Sequence, residues 1–128
     1  MLFVAALSLM LFSTGCGGSS PPDCTTAVAL GIAPNAASAD HLAVSPANKV
    51  SFFAGDMLPS GCPPRPDVRL DLHWTVSDTV NVVIGNTANV DYGVATCIHA
   101  TPAPATVAAT GPNERGATIS GTATLVCK

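Results

Sequence analysis

The sequence predicts an all-β domain, a two-sheet sandwich of about seven short antiparallel strands, and three observations carry that prediction. Residues 69–77, RLDLHWTVS, alternate strictly, with Leu70, Leu72, Trp74 and Val76 on one face and polar side chains on the other. A period of two belongs to a half-buried strand. The C-terminus repeats the pattern: Ala117, Ile119, Ala123, Leu125 and Cys127 share a parity, against Thr118, Ser120, Thr122 and Thr124. Third, Gly and Pro punctuate the chain at short intervals, and no stretch holds helical periodicity long enough to matter.

The elements before the domain come first. Residues 2–12, LFVAALSLMLF, are eleven apolar or small residues, too short for a bilayer core that needs about 20. That length suits the hydrophobic region of a secretory signal, with small residues Ser13, Thr14 and Gly15 following it. No Lys or Arg precedes the run; an upstream start would supply one. The alternative, a buried N-terminal helix, has no periodic polar face and no cap. Ser13-Thr14-Gly15-Cys16 resembles the lipobox of bacterial lipoproteins, with Ser13 where an aliphatic residue is usual. The resemblance implies a signal peptide over 1–15 and a mature chain that begins at lipidated Cys16. Gly17 to Pro22, with Asp23, would form a flexible tether over 16–23. Membrane attachment would then run through two or three acyl chains. Ordinary signal cleavage nearby, leaving Cys16 as a spare thiol, is the other reading.

The remaining strand expectations fall in order at 25–33 (TTAVALGIA), 48–56 (NKVSFFAGD), 79–85 (TVNVVIG), 92–100 (YGVATCIHA) and 105–111 (ATVAATG). Thr and Val, β-branched, suit a pleated surface. Ser60-Gly61 with Pro63-Pro64, Gly85-Asn86, Pro102 to Pro104, and Gly111-Pro112-Asn113 read as connections, since proline cannot donate to a ladder. The longest connection is 57–68, MLPSGCPPRPDV.

Setting Cys16 aside leaves Cys24, Cys62, Cys97 and Cys127, and an even count in an exported domain reads as two disulfides. Spacing alone leaves all three pairings open. The charged fraction is 10% and the net charge −3, with one Trp and one Tyr. A nucleic-acid surface needs a basic stripe, so that class of partner is excluded.

With strands placed, residues 24–128 resemble a bacterial Ig-like (Big-type) domain. The residues carrying the likeness are His73 to Asp78, Gly93 to Thr96, Ala105 to Thr110, and Ile119 to Leu125. The resemblance implies strands A to G in two sheets, and a spacer, adhesive or partner-binding module. It also implies that strand A starts where strand B ends, bringing Cys24 near Cys62, while Cys97 on strand E and Cys127 on strand G lie toward the other end. Cys24–Cys62 with Cys97–Cys127 is favoured on that basis. Cys62–Cys97 with Cys24–Cys127 is the rival. Asp91-x-Gly93-x-Ala95-x-Cys97 imitates the last-strand motif of antibody domains. The match is read as coincidence, because too few residues separate Trp74 from Cys97 for the strands that must intervene.

No catalytic constellation emerges. His41, His73 and His99 are scattered, and Cys97-x-His99 lacks the ligands that would complete a copper loop. No metal and no cofactor are expected. No G-x-S-x-G elbow or phosphate-binding glycine loop occurs, so no enzymatic activity is expected. The 57–68 loop, with Met57, Leu58, Arg65 and Asp67, is the candidate contact surface, on the ground that a loop on a rigid scaffold is a natural place for recognition. The partner would be an envelope or surface protein or a glycan, met at the outer membrane or cell surface. The plainer alternative is that this loop is only a disulfide-tied connection. A different class of function is a structural subunit that pairs strands in a surface assembly through a Thr/Val-rich edge at 79–85.

Overall fold

The structure, a computed structural model, describes residues 17–128. The signal peptide expected over 1–15 and Cys16 lie outside the described residues. The described chain is all-β, with nine strands: β1 (Ala29–Ala33), β2 (Ala36–Ala39), β3 (Lys49–Ser51), β4 (Phe53–Met57), β5 (His73–Val76), β6 (Val82–Ile84), β7 (Val94–Cys97), β8 (Ala105–Pro112) and β9 (Thr118–Cys127). They form a two-stranded sheet β1-β4, a four-stranded sheet β2-β9-β8-β5 and a three-stranded sheet β3-β7-β6.

Two departures from the expected seven strands have physical causes. The segment expected as one strand over 48–56 changes partners at Phe52. Before it, β3 pairs with β7; after it, β4 pairs with β1. The alternation runs unbroken through the change of partner, with Phe52 and Ala54 buried and Lys49, Ser51 and Phe53 exposed. One pleated segment therefore serves both sheets. The second departure is β2, Ala-Ala-Ser-Ala, which has too little contrast between its faces to read as a strand. It runs parallel to β9, with Ala36 opposite Thr124 and Ala39 opposite Cys127. That pairing corrects the expectation of antiparallel strands throughout.

The long hairpin behaves as its pattern predicts. β8 and β9 pair from Ala105↔Leu125 to Pro112↔Thr118, closing through a turn in which Asn113 N–H donates to the Ala117 carbonyl at 2.7 Å. Ile119, Ala123, Leu125 and Cys127 are buried, but Ala117, expected inward, lies exposed in the turn. Leu70 also departs from expectation, being 70% exposed. Val68 bridges Gly55 on β4, and Arg69 N–H donates to the Ala54 carbonyl at 2.8 Å. The chain bends after them and joins the β5 ladder only at His73. The expected register therefore holds from Leu72 onward and fails before it.

Side chains from all three sheets close the core. Phe52, Val82 and Cys97 meet Trp74, Val107 and Leu125, all essentially without solvent contact. Trp74 lies centrally, 6.5 Å from the Phe52 ring and 6.2 Å from Tyr92 in an edge-on arrangement, a favoured geometry for aromatic quadrupoles. Cys97 on β7 is bonded to Cys127 on β9, with Cα atoms 5.6 Å apart, so this disulfide joins two sheets through the core. Cys24 is bonded to Cys62 with Cα atoms 5.4 Å apart, tying the segment before β1 to the 58–68 connection.

Candidate functional site

The four loop residues singled out by the sequence fall into different environments. Met57 ends β4 with its side chain lying over Gly31, where a Cβ would sit 3.3 Å from Met57 Cγ. Leu58 is half-buried, and with Met57, Cys62 and Pro64 it lines a shallow cleft of about 210 Å³. Asp67 is exposed. Arg65 is turned back onto the domain. Its guanidinium donates to Asp56 Oδ2 at 3.0 Å and to the Thr25 carbonyl at 2.7 Å, and pairs with Glu114 of the β8–β9 turn. Met57 and Leu58 are thus brought together, while Arg65 serves to hold the loop.

Asp56 is the hub of that arrangement. Its other oxygen accepts from Arg69 Nη1 at 2.8 Å, and Arg69 also makes a two-pronged contact with Asp71 at 2.7 Å on each branch and donates to the Pro112 carbonyl at 2.9 Å. Bidentate pairs of this kind are the stronger class of charged hydrogen bond. The Arg65 hydrogen bond, helped by the Ala27 N–H, pulls Glu114 from its usual 4.5 down to about 2. The Asp71 and Asp56 hydrogen bonds push the Arg69 guanidinium upward. These groups fasten the 58–71 connection to β4 and to the hairpin turn.

A second feature was not anticipated from the sequence. Between residues 68–70 and the 89–94 segment lies a cleft of about 390 Å³, lined mainly by aromatic and aliphatic side chains. Phe52, Trp74 and Tyr92 contribute to its walls. At its rim Phe53, Val68, Leu70 and Val90 are 55, 49, 70 and 79% exposed. Trp74 Nε1 is buried with no hydrogen-bond acceptor among the described residues, a condition that costs ~1–3 kcal/mol. The sequence carries no signal for it: alternation puts Leu70 on the inward face with Leu72 and Trp74, whereas the structure leaves it 70% exposed at the rim.

The cleft's walls are pinned by backbone. Phe52 N–H donates to the Gly93 carbonyl at 2.9 Å, and Gly93 N–H donates to the Gly85 carbonyl at 3.0 Å. Tyr92 Oη accepts from Leu72 N–H at 2.7 Å and donates to the Leu72 carbonyl at 3.0 Å. Elsewhere, His41 Nδ1 lies against the Lys128 carbonyl, whereas His73 and His99 are exposed on separate strands or loops. Among the described residues no group of three or more His, Cys, Asp or Glu is placed to hold a metal ion. No protein-family model matches the chain, and no curated protein matches it.

Proposed function

We propose that this chain is a lipid-anchored, Ig-like module of a bacterial cell envelope that acts in binding, adhesion or spacing without catalysis. The strand order is the observation that carries the reading. β1 lies beside β4, whose segment continues through β3 to β7 and then β6; β5, β8 and β9 lie side by side in the other layer. An Ig-like sandwich places A-B-E-D against C-F-G. The chain follows that order if β3 and β4 together form strand B, with β2 added beside the last strand. Lipid attachment through Cys16 and the short Gly/Ser/Pro tether would hold the module close to a membrane surface. Met57 and Leu58 supply the apolar part of a contact with an envelope protein or glycan, on a loop fastened by the Arg65 pairs and by Cys24–Cys62.

The alternative is a structural subunit joined by strand pairing. One observation favours keeping it: β6 is an edge strand, and Val83 is 55% exposed on it. Another weighs against it at β5, where Asn86 and Tyr92 side chains already occupy the outer backbone groups of Trp74 and Leu72. The two readings separate on substitution. Site-directed crosslinking in the native envelope should be lost with Met57→Ser and Leu58→Ser under the binding reading. It should be lost with Val83→Lys, and keep its products with the loop variants, under the strand-pairing reading.

A further inference from the structure

We infer that β6 is where a second copy of this chain joins, the two β6 strands pairing antiparallel about a two-fold axis at Val83. The inference rests on the strand-pairing reading above and names its partner. Backbone geometry sets the chemistry. In the β6–β7 ladder Val83 lies opposite Thr96. On either side of it, the Asn81 carbonyl accepts the Ile98 N–H at 2.8 Å and Gly85 N–H donates to the Val94 carbonyl at 3.0 Å. An antiparallel ladder uses alternate residues of a strand, so Val82 and Ile84 turn their backbone groups away from β7. Val82 N–H finds the Asp78 carbonyl at 3.1 Å, but no turn or loop bond reaches the Val82 carbonyl or the Ile84 N–H among the described residues. Free groups at this spacing are answered by another extended backbone.

Three observations make that backbone the same strand of a second copy. The edge is self-complementary: with Val83 on the axis, each Ile84 N–H meets the Val82 carbonyl of the other copy, and the two Val83 side chains lie together. Apolar exposure follows the edge, with Val80, Val83 and Ile98 at 75, 55 and 44%, and Ile98 stands diagonally across the ladder from Val83 on the same face. No ionised side chain opposes a like one. The groove of about 390 Å³ between β6 and β5 is lined by Trp74 to Val76, Thr79 and Val82 to Ile84, and nearby Asp78 is tied to Asn81 Nδ2 at 2.8 Å. The larger sheet offers no equal edge: β5 is sealed at Leu72 and Trp74 by Tyr92 and Asn86, and β2 exposes no large apolar side chain. A two-fold contact occupies β6 in both copies, so assembly closes at a dimer.

The test uses the chain purified unreduced from its native membranes, in detergent matched to the solvent density so that sedimentation equilibrium reads protein mass. A concentration-dependent dimer is expected, with hydrogen exchange at the Ile84 amide slowing as the dimer forms. Val83→Lys and Val83→Glu, both at an exposed position, should each weaken it by about tenfold, because like charges then face each other on the axis. Mixed in equal amounts, the two variants should pair with each other about tenfold more tightly than either pairs with itself. Val44→Lys, at an 86% exposed position away from the edge, should leave the dimer unchanged. A monomer at every concentration, a dimer indifferent to charge at position 83, or a mixture no tighter than its components would overturn the inference. If native-envelope crosslinks are nonetheless lost with Val83→Lys, strand pairing stands with a different partner; if they survive it, strand pairing falls as well.

Discussion

The side-chain amide of Asn86 does for Trp74 what a neighbouring strand would do: Oδ1 accepts the Trp74 N–H at 2.7 Å, and Nδ2 donates to the Trp74 carbonyl at 3.0 Å. Two residues earlier, Tyr92 Oη takes the same role toward Leu72. Edge strands are liabilities because their free backbone groups recruit other strands. Here β5 is sealed by side chains from the β6–β7 connection. Asn86→Ala strips Trp74 of both partners and is expected to cost about 2–3 kcal/mol. Asn86→Asp keeps the acceptor without the donor and should fall between. Urea unfolding measures the loss, and light scattering at rising concentration should show self-association of the Ala variant.

The two disulfides should respond differently to reductant. Their sequence separations of 38 and 30 residues imply similar chain-entropy contributions of roughly 3–4 kcal/mol each. Burial separates them. Cys97 and Cys127 are 1% exposed, whereas Cys24 and Cys62 are half-buried. Mild reductant under native conditions should open Cys24–Cys62 first, as alkylation and peptide mapping would reveal. Replacing Cys97 and Cys127 together by Ala should cost ~1–2 kcal/mol more than replacing the other pair, because two core sulfurs are lost as well.

Acid should weaken the clamp on the long connection. Glu114 titrates at about 2 in the fold against a usual 4.5. A lowered folded value means that its contribution is present above the unfolded value and is lost as pH falls through the folded one. Stability should therefore decline across the window from 4.5 to about 2. Asp23, held at about 2 chiefly by Thr25 hydrogen bonds, adds to the same slope from 3.8 downward. Urea midpoints measured across this window should fall less steeply for Glu114→Gln than for the unaltered chain.

Two glycines with similar backbones should tolerate alanine differently. Gly93 has φ of +72°, and a Cβ there would lie 2.5 Å from the Phe52 carbonyl oxygen and 3.2 Å from Trp74 Cε2. Gly116 has φ of +77° but open space around the same position. Gly116→Ala meets only the left-handed backbone cost of about 1 kcal/mol. Gly93→Ala adds a clash against core and backbone and should cost about 3 kcal/mol. Thermal unfolding of the two variants makes the comparison.

What was legible in the sequence follows from contrast. The stretch from Leu72 to Val76 and the run from Ile119 to Cys127 alternate bulky apolar with polar side chains, and their faces were readable without a partner. β2 was not readable, because Ala-Ala-Ser-Ala offers no contrast and its place depends on the distant β9. Leu70 misled because alternation continued past the point where the chain leaves the ladder. From the sequence, Arg65 reads as part of the contact surface of the 57–68 loop. Its inward turn depends on Asp56, nine residues earlier, and Glu114, forty-nine residues later. Asn86 sits after a glycine and reads as a turn residue, so its service to Trp74 required the tertiary arrangement.

The most direct test of the proposed envelope module is an unreduced intact mass on the protein extracted from its native membranes. The expected mass is that of a chain that begins at acylated Cys16 and is four hydrogens lighter than its thiol form, with Cys24–Cys62 and Cys97–Cys127 both closed. An unacylated mass, or one that still includes residues 1–15, would contradict the lipid-anchored reading.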